Sequence, residues 1–421
     1  MKAVVLAAGE GVRLRPLTLT KPKPLLPIGN IPLLQHLFTS VKKAGIREVL
    51  LVVGYLGEKI RERFGDGSRF GLNLTYVWQK KVGGTGDAVR LVSNHLDEDF
   101  AVIYGDLYLR PPTVGRVVKT YKKVKNNVLA VVEVEKPEDY GVVSLDEEGC
   151  LKKIEEKPEK PQTNLINAGI YVFTEEIFKE IEKTKPSPRG EIELTDAIQK
   201  LAEKSKVYTV KLKAKDWLEI GKPWNLLEAN QRFLEEIKPT IRGKIEKNVK
   251  IKGPAKISAK ATIKAGVYIE GPVVVGEGCS IGPNCYLRPY TSLGRDVKVG
   301  GGCEVKNSIV MDGTKIPHLS YVGDSIIGEN CNFGAGTLVG NIRLDRKNIK
   351  TTVKGEVVDT GRRKLGVIVG DNVQTGINVS LMPGVKIGAN SHIGPGLVVY
   401  GDIPANTKVF LKQSIKLEEM G

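Results

Sequence analysis

The second half of this 421-residue chain repeats an aliphatic residue at every sixth position, a period that neither an α-helix nor a β-strand has. The ladder starts at Ile251, slips by one residue before Val310 and again before Ile327, and ends near Val399, with Thr375 as one polar member. Its other members are Ile257, Ile263, Ile269, Val275, Ile281, Leu287, Leu293, Val299, Val305, Ile316, Val322, Phe333, Val339, Val369, Leu381, Ile387 and Ile393. This period predicts triangular coils with one hexad per face, which depend on stacking because each coil buries little by itself.

The ladder is interrupted at length once, between Gly340 and Gly366. The interrupting loop is strongly basic and contains Arg343, Arg346, Lys347, Lys350, Lys354, Arg362, Arg363 and Lys364. Two of the five cysteines, Cys279 and Cys285, fall within the ladder and are expected to be small buried residues. Because no CxxC spacing occurs, neither a disulfide framework nor a zinc site is favoured.

The first half alternates strand and helix patterns, which predicts a doubly wound, mostly parallel α/β sheet of the Rossmann-like kind. The predicted strands are 3–8, 48–53, 74–78, 100–104, 127–134, 140–145, 151–156 and 168–173, and the predicted helices are 32–44, 55–64, 87–94, 195–204 and 226–237. After Pro239 the alternating strand and helix patterns give way to the six-residue aliphatic period. We therefore predict a first domain over residues 1–232, a linker over 233–244 and a β-helix domain over 245–421.

The composition favours small anionic ligands over nucleic acid. The formal charge is +16, but lysine and glutamate are interspersed and no platform of aromatic and basic residues is evident. Because the sequence has neither a signal peptide nor an apolar stretch of membrane-spanning length, we expect a cytoplasmic protein with no membrane partner. Abundant Lys, Arg and Glu with little Gln is typical of a thermophile.

One stretch near the start has the residues that a polyphosphate needs. The first strand runs into Gly9 and Gly11, whose backbones can adopt angles closed to other residues and leave room for a ligand, and Arg13 and Lys23 add two cations. Leu14 stands where a dinucleotide-binding fingerprint has its third glycine, and no P-loop lysine is present. A two-glycine turn alone is as often structural, so the two cations carry the prediction of a nucleoside triphosphate site.

Residues 1 to about 230 resemble the sugar-1-phosphate nucleotidylyltransferases. The signature is Leu6-Ala7-Ala8-Gly9-x-Gly11-x-Arg13-Leu14-x-Pro16-Leu17-Thr18 with Lys21-Pro22-Lys23. Further motifs follow in order: Gly84-Thr85-Gly86-Asp87-Ala88, Tyr104-Gly105-Asp106, Tyr140-Gly141, Glu155-Glu156-Lys157-Pro158, Ile166-Asn167-Ala168-Gly169, Arg189-Gly190-Glu191-Ile192-Glu193 and Trp217-Leu218-Glu219-Ile220-Gly221.

The resemblance implies attack of a sugar phosphate on the α-phosphorus of UTP or dTTP, with Arg13 at the β- and γ-phosphates and Lys23 at the α-phosphate or sugar phosphate. It implies Mg²⁺ on Asp106 and on Glu219, where the family more often has Asp. Asp106 could instead be a turn or N-cap residue, and Glu156 with Lys157 a surface ion pair. The residues implied for the base are Leu6, Gln79, Gly84 and Thr85, and those for the sugar and its phosphate are Gly141, Glu156, Lys157 and Asn167.

A second resemblance covers residues 245 to about 400 and centres on His318. The motifs Leu287-Arg288-Pro289, Glu304-Val305-Lys306, His318-Leu319-Ser320-Tyr321, Asn332-Phe333-Gly334-Ala335-Gly336-Thr337 and Gly340-Asn341 resemble the acetyltransferase half of bifunctional uridylyltransferase/acetyltransferases, more closely those of archaea. Ile342 departs from the bacterial pattern, which has a tyrosine there. The hexad repeat resembles the hexapeptide family, whose left-handed parallel β-helices usually form trimers.

This resemblance implies that His318 is the general base of acetyl transfer from acetyl-CoA to an amino-sugar phosphate, although a lone histidine is more often structural. Arg288 and Lys306 are implied for the sugar phosphate. The residues implied to position the substrate are Tyr321, Asn332, Asn341 and Lys347. Those implied to contact coenzyme A are Ala335, Arg362 and Arg363, and Lys350 is expected at a phosphate of either coenzyme A or the sugar. The alternative for the run Arg362-Arg363-Lys364 is a solvated face of the loop, which is equally consistent with its sequence.

The leading hypothesis is a bifunctional homotrimer that acetylates glucosamine-1-phosphate or galactosamine-1-phosphate and joins a sugar-1-phosphate to UTP or dTTP. One alternative is an enzyme with only the second activity, such as a glucose-1-phosphate thymidylyltransferase whose β-helix only trimerises. Another is a non-catalytic regulatory subunit, against which Arg13, Lys23 and Asp106 argue.

Overall fold

The computed structural model describes residues 1–81 and 83–420, which form two compact units. The first unit contains Met1–Glu10, Lys21–Leu26 and Pro32–Ile220, and the second contains Gly11–Thr20, Pro27–Ile31 and the chain from Gly221 onwards. Two short segments of the N-terminal region therefore group with the β-helix. The boundaries 1–232, 233–244 and 245–421 stay a prediction, and residue 421 lies outside the described residues.

The centre of the first unit is the predicted parallel sheet. Its strands Ala3–Ala7, Glu48–Val53, Asn73–Trp78 and Phe100–Tyr104 are parallel, and Val4 lies opposite Leu50 on one side and Val102 on the other. Ala3–Ala7, Glu48–Val53 and Phe100–Tyr104 are near-continuous apolar runs because helices cover both faces of such a sheet, whereas Asn73–Trp78 at its edge contains polar residues and is partly exposed.

The later strands extend this sheet mainly through antiparallel pairs. Leu165–Phe173 lies antiparallel to Phe100–Tyr104 and leads to Gly141–Leu145 and then Leu151–Glu156. Val128–Glu133 also pairs with Leu165–Phe173 and carries Tyr208–Lys211 at its other edge. The prediction of a mostly parallel sheet is confirmed by the first four strands and by Tyr208–Lys211, which lies parallel to Val128–Glu133, while the pairs made by Leu165–Phe173 and Leu151–Glu156 are antiparallel.

Helices surround the sheet, and most of them fall near their predicted positions. The helices of the first unit are Leu33–Lys43, Gly57–Phe64, Thr85–Arg90, Pro112–Val124, Glu176–Glu182 and Leu194–Ala202. The predicted helix 87–94 is shorter and ends in a 3-10 turn, Ser93–His95. Two short strands, Leu107–Leu109 and Trp217–Glu219, pair antiparallel although they are far apart in sequence.

The second unit contains the helix Pro223–Leu234 and the predicted left-handed parallel β-helix. Successive coils stack in register, so that Ile257 lies opposite Val275 and Val275 opposite Leu293. Leu293 then lies opposite Val310, one residue nearer in sequence, which accounts for the first slip. The three faces are built from short parallel strands. They begin at Thr240–Ile241, Lys244–Ile245 and Lys250–Lys252 and end at Lys386–Ile387, Lys408–Val409 and Val398–Val399.

The interior of the β-helix is the aliphatic ladder itself. Apart from the partly buried Ile251, its apolar members are buried in one cluster, together with Cys279 and Cys285. The polar member Thr375 is also buried, and its hydroxyl lies 2.8 Å from that of Thr337 and accepts the N–H of Gly334. The lapse in the period is tolerated because these partners satisfy the buried hydroxyl.

The loop that interrupts the ladder is folded. It contains an antiparallel hairpin of Lys350–Val353 and Glu356–Asp359. The Thr351 hydroxyl donates to the carbonyl oxygen of Gly384 at 2.6 Å, and Ile349 and Leu365 are buried. The cations of the loop are thus presented on a fixed backbone.

Within the described residues, none of the helices combines the length and hydrophobicity that a bilayer crossing requires.

Candidate active sites

The first site forms at the carboxyl edge of the parallel sheet. Asp106 follows the strand Phe100–Tyr104 after Gly105, whose N–H donates to the carbonyl oxygen of Leu6 at 2.8 Å. A Cβ atom on Gly105 would lie 2.7 Å from that same oxygen, so the close approach of the two strand ends requires glycine. Lys23 Nζ donates to Asp106 Oδ2 at 2.6 Å. The predicted cation and carboxylate therefore meet.

The second oxygen of Asp106 is available for a ligand. Asp106 Oδ1 is buried and has no hydrogen-bond partner among the described residues. Glu219 lies in the neighbouring strand opposite Leu107, and the N–H of Ile220 donates to the carbonyl oxygen of Asp106 at 2.9 Å. One or two carboxylates completed by substrate phosphates are what Mg²⁺ uses in such enzymes. No group of three or more His, Cys, Asp or Glu able to hold a metal occurs among the described residues.

The two glycines of the signature stretch differ in conformation. Gly11 has φ +66°, in the left-handed region, and precedes the 3-10 turn Val12–Leu14 that carries Arg13. Gly9 does not have a positive φ, so only Gly11 uses the backbone freedom that both glycines offer. Open space surrounds Gly9 instead, because a Cβ atom there would have no heavy atom within 4 Å. The roles of Gly11 and Arg13 at phosphate stay predictions.

The residues predicted to contact the base lie together. Gln79, which is buried, donates from Nε2 to Asp87 Oδ2 at 2.9 Å and to the carbonyl oxygen of Gly84 at 3.3 Å. Gly84 has φ +94°, and a Cβ atom on it would lie 2.6 Å from the carbonyl oxygen of Ile192. The Thr85 hydroxyl accepts the N–H of Leu194 at 3.0 Å. Asp87 holds Gln79, a role that its place in the Gly-Thr-Gly-Asp motif does not specify. Leu6, also predicted for the base, is partly buried at the end of the first strand.

The residues predicted for the sugar occupy adjacent strands. Gly141 lies opposite Glu156, and a Cβ atom on Gly141 would lie 3.3 Å from Glu156 Oε2. Glu156 Oε1 is 3.6 Å from both Lys157 Nζ and a guanidinium nitrogen of Arg189. The ion pair considered as the alternative for Glu156 and Lys157 is present, and Arg189 joins it.

Asn167 completes this group through two tyrosines. Its Nδ2 donates to the Tyr171 hydroxyl at 2.6 Å, and that hydroxyl donates to the Tyr104 hydroxyl at 3.2 Å. Burial raises the pKa values of both tyrosines, which therefore remain neutral donors. The sequence motifs contain Tyr104, but its link to Asn167 arises only in the folded sheet.

The second site lies on one face of the β-helix, where the strands Tyr286–Leu287, Glu304–Lys306 and Tyr321–Gly323 stack in register. Arg288 donates to Glu304 Oε1 at 2.8 Å and lies over the ring of Tyr286, 5.6 Å from its centroid. Arg288 Nε is buried and has no hydrogen-bond partner among the described residues. A donor left open in this way suits an anionic ligand.

Lys306, Tyr321 and Asn341 are brought together next to Arg288 on this face. Asn341 Nδ2 donates to the Tyr321 hydroxyl at 3.1 Å and to Asp324 Oδ2 at 2.6 Å, and Lys306 Nζ is 3.5 Å from the same oxygen. Burial, followed by the charges of Asp324 and Glu304, raises the pKa of Tyr321.

His318 is exposed in the turn before Tyr321. Its carbonyl oxygen accepts from the Ser320 hydroxyl at 2.7 Å and from the N–H of Gly336 at 3.2 Å, which fixes the turn against the coil containing Ala335.

The remaining predicted contacts are more dispersed. Asn332 is exposed and forms backbone β-bridges with Lys315 and Gln374. These residues belong to a different face of the β-helix from Tyr321. Within one chain, Asn332 therefore does not lie with the other residues predicted to bind the acceptor. Lys347, Lys350 and Arg363 are exposed on the interrupting loop. Arg362 is partly buried there, and its Nε has no hydrogen-bond partner within residues 1–81 and 83–420.

Comparisons with known proteins match families to both halves of the chain. The family described as Nucleotidyl transferase matches residues 2–236, the family described as GMPPB C-terminal domain matches 269–376, and the family described as Bacterial transferase hexapeptide matches 366–401.

Relatives cover nearly the whole chain. The "Bifunctional protein GlmU" of Methanocaldococcus jannaschii is 48% identical over 415 residues, 99% of this chain and 98% of the relative. The "Bifunctional sugar-1-phosphate nucleotidylyltransferase/acetyltransferase" of Sulfurisphaera tokodaii is 45% identical over 410 residues, 96% of this chain and 98% of the relative. A solved UDP-glucose pyrophosphorylase in complex with UDP-glucose superposes with a TM-score of 0.52 at 28% identity, covering 56% of this chain and 99% of that one.

The similarity in fold to that pyrophosphorylase covers 56% of this chain, and the similarity to the two bifunctional relatives continues through the β-helix. The chain therefore belongs to the nucleotidyl transferase family, and within it to the bifunctional enzymes that join a nucleotidyltransferase to a hexapeptide-repeat acetyltransferase.

Proposed function

We propose that this enzyme acetylates glucosamine-1-phosphate, or galactosamine-1-phosphate, with acetyl-CoA, and transfers a nucleotidyl group from UTP or dTTP to a sugar-1-phosphate. The sugar phosphates proposed for the second reaction are N-acetylglucosamine-1-phosphate and glucose-1-phosphate, and its products are a nucleotide sugar and pyrophosphate. The observation that carries the proposal is the Asp106 carboxylate, which is bound to Lys23 by one oxygen and has the other oxygen buried without a hydrogen-bond partner among the residues that the structure describes.

Nucleotidyl transfer here needs charge neutralisation and alignment rather than a general base. The attacking phosphate oxygen already carries charge near neutral pH, since the second pKa of a phosphate monoester is about 6. Arg13 binds the departing β- and γ-phosphates and the backbone from Gly9 to Val12 approaches them. Lys23, oriented by Asp106, neutralises the α-phosphate or the sugar phosphate.

The substrate contacts follow from the same edge of the sheet. The base is held by Leu6, Gln79, Gly84 and Thr85. Gln79, which is fixed by its hydrogen bonds to Asp87 and Gly84, is compatible with the base of either UTP or dTTP. Gly141 lets the sugar approach the backbone, while Glu156, Lys157 and Asn167 hold the sugar and its phosphate.

Mg²⁺ fits the carboxylates at this edge, and Asp106 and Glu219 are the residues that would hold it. The metal supplies positive charge to the phosphates. The fit rests on Asp106 Oδ1, which has no hydrogen-bond partner in the described part of the chain, and on the pairing of Glu219 with Leu107, which directly follows Asp106.

In acetyl transfer, the amine of the acceptor attacks the thioester carbonyl, so that a C–N bond forms and the C–S bond breaks. His318 takes the proton that the nitrogen releases, and the sulfur leaves as coenzyme A thiol or thiolate. Arg288 and Lys306 bind the sugar phosphate of the acceptor, and Tyr321 and Asn341 position its ring.

The coenzyme is proposed to follow the backbone at Ala335 and the basic loop. Arg362 is favoured as a phosphate contact because its Nε has no hydrogen-bond partner within the described chain. Arg363 is proposed to act with it, and Lys350 to bind a phosphate of either the coenzyme or the sugar. Asn332 and Lys347 are proposed to serve the acceptor in an assembled homotrimer, since Asn332 lies on another face of its own chain.

A cytoplasmic location belongs to the same proposal. All five cysteines are free thiols in the structure, which is typical of proteins from a reducing compartment.

A substrate matrix tests the proposal. Several sugar-1-phosphates are combined with UTP or dTTP, with and without acetyl-CoA, and pyrophosphate and free thiol are measured. We expect pyrophosphate with at least one pyrimidine nucleotide, and free thiol only when an amino-sugar phosphate is present. The absence of thiol with every amino-sugar phosphate would contradict the acetyltransferase assignment.

A further inference from the structure

One buried carboxylate contacts several of the residues proposed to bind the acetyl acceptor. The side chain of Asp324 is 4% exposed. Its Oδ2 accepts from Asn341 Nδ2 at 2.6 Å and lies 3.5 Å from Lys306 Nζ, while its Oδ1 accepts from Asn307 Nδ2 at 2.6 Å. Asn341 also donates to the Tyr321 hydroxyl, so a single group links three acceptor residues.

The charge of Asp324 explains why these contacts are fixed. A carboxylate taken out of water is strongly destabilising unless donors and a counter-charge surround it. Here two amides and one ammonium supply them, so neither Lys306 nor Asn341 can turn away without leaving the charge unsatisfied. Lys306 has three N–H donors, and only one is needed for Asp324, which leaves the others for an anionic ligand.

The backbone at Asp324 is fixed as firmly as its side chain. Asp324 occupies a left-handed corner of the β-helix, with φ +53°, directly after Asn307 at the same corner of the preceding coil, with φ +43°. Its N–H donates to the carbonyl oxygen of Lys306 at 2.9 Å, and its own carbonyl oxygen accepts the N–H of Gly366 at 2.8 Å.

A second residue, Gln231, holds the Asn307 side chain that contacts Asp324. Asn307 Oδ1 accepts from Nε2 of Gln231, in the helix Pro223–Leu234, at 2.9 Å. This contact fixes which end of the Asn307 amide faces Asp324, because the oxygen is turned to Gln231 and the nitrogen to the carboxylate. Gln231 therefore donates to Asn307, and Asn307 donates to Asp324.

We propose that Asp324 is a positioning residue for the acetyl acceptor, holding the Lys306 ammonium toward the sugar phosphate and the Asn341 amide toward Tyr321. The inference rests on the proposed acetyltransferase function. It assigns Asp324 no contact with the reacting atoms, and it makes recognition of the acceptor, rather than of acetyl-CoA, depend on this carboxylate.

The main test is Asp324→Asn, which removes the charge but keeps a residue that tolerates the left-handed corner, as Asn307 does. We expect KM for glucosamine-1-phosphate to rise at least about tenfold, since hydrogen bonds to charged groups are the stronger ones. KM for acetyl-CoA and the rate of pyrophosphate release should remain unchanged.

The matched control is Asp312→Asn. Asp312 is also a β-helix aspartate in an ion pair, with Arg295 at 2.7 Å, but lies outside the proposed site. It should change none of these constants. If the unmodified enzyme acetylates its acceptor and Asp324→Asn leaves the acceptor KM unchanged, the inference is wrong and the proposed function stands. If the unmodified enzyme acetylates no amino-sugar phosphate, the proposed function itself fails.

Two further variants separate positioning from a general loss of structure. Combined with Lys306→Met, Asp324→Asn should cause a loss clearly smaller than the sum of the two single losses, because Asp324 acts in part through Lys306; fully additive losses would overturn the inference. Gln231→Met should raise the acceptor KM about two- to threefold, the size of one neutral hydrogen bond. An unchanged acceptor KM in Gln231→Met would contradict the proposed support of Asp324 by Gln231 through Asn307. This variant serves as the test of the inference if Asp324→Asn does not fold.

Discussion

At the scale of single residues, the two oxygens of Asp106 have different surroundings. Oδ2 accepts from Lys23, whereas Oδ1 is buried without a hydrogen-bond partner in the described part of the chain. Leaving a buried acceptor unsatisfied destabilises the fold by about 1–3 kcal/mol. Such a cost is expected where a ligand supplies the missing partner, and a divalent cation with substrate phosphates meets that need.

Replacing Asp106 by Asn should lower nucleotidyl transfer by about 10²–10³-fold, the usual loss when a charge-stabilising group is removed from an active site. The variant loses the carboxylate charge and the orientation of Lys23. Pyrophosphate release measures the effect. Asp97→Asn is the control, because Asp97 is 86% exposed, and it should retain full activity. Equal activity of the two variants would show that Asp106 is a turn residue only.

Gly9 and Gly105 should respond differently to an added methyl group. Gly9→Ala meets no neighbour and has no positive φ, so the free energy of unfolding should change by less than about 0.5 kcal/mol, while KM for the nucleotide rises because the ligand loses space. Gly105→Ala should lower the free energy of unfolding by about 1–3 kcal/mol, since its Cβ meets Leu6 backbone. Denaturant unfolding of both variants and the nucleotide KM of Gly9→Ala check these predictions. A destabilised Gly9→Ala variant with an unchanged nucleotide KM would contradict the proposal that the nucleotide lies against Gly9.

The sequence predicts residues that lie in motifs better than residues that support them. Lys23, Asp106 and His318 follow from spacing and resemblance. The role of Asp324 does not, because it arises from the stacking of successive coils. The contact of Arg189 with Glu156 is likewise not specified by the motif that contains Arg189, because it arises only when the two segments meet in the fold. The coil register that places Lys306 opposite Gly323 brings Asp324 next to Lys306, although the two are 18 positions apart.

At the scale of elements, the six-residue period predicts the β-helix nearly coil by coil, because each hexad buries one side chain in the common interior. The interrupting hairpin Lys350–Val353 and Glu356–Asp359 is not predicted, since its polar and basic residues resemble a loop. The helix Pro112–Val124 is also absent from the prediction although Val114, Val117, Val118 and Tyr121 repeat at helical spacing and are buried. Strand pairs such as Leu107–Leu109 with Trp217–Glu219 are too short and too distant in sequence to be read from it.

The buried thiols of the β-helix should make it sensitive to alkali. Burial raises the pKa values of Cys279, Cys285 and Cys331 to about 12, whereas an unfolded thiol ionises near pH ~8.5. Because the folded pKa is the higher, this stabilisation is complete below the unfolded pKa and is lost as the pH rises from about 9 toward 12.

Thermal unfolding measured at pH 8, 9 and 10 should therefore show a falling midpoint. The fall should be shallower in the Cys279→Ala/Cys285→Ala variant, which has a lower midpoint at pH 8 but fewer thiols to ionise. Parallel slopes for the variant and the unmodified chain would contradict this explanation.

At the scale of the whole molecule, two chemistries are carried by different architectures. The parallel sheet presents Lys23 and Asp106 at its carboxyl edge, and the face of the β-helix presents Arg288, Lys306 and Tyr321. The basic composition, with a net charge of +16, suits enzymes whose substrates are all phosphorylated. The similarity to bifunctional relatives extends over 99% of the chain, so both architectures are shared with them.

The two activities are proposed to belong to separate sites in one chain. The most direct measurement compares pyrophosphate release and thiol release in His318→Ala and Asp106→Asn under identical conditions. His318→Ala should lose about 10²–10⁴-fold in acetyl transfer, the contribution of a positioned base, and keep nucleotidyl transfer. Asp106→Asn should show the reverse. Loss of both activities in either variant, or full acetyl transfer in His318→Ala, would contradict the account.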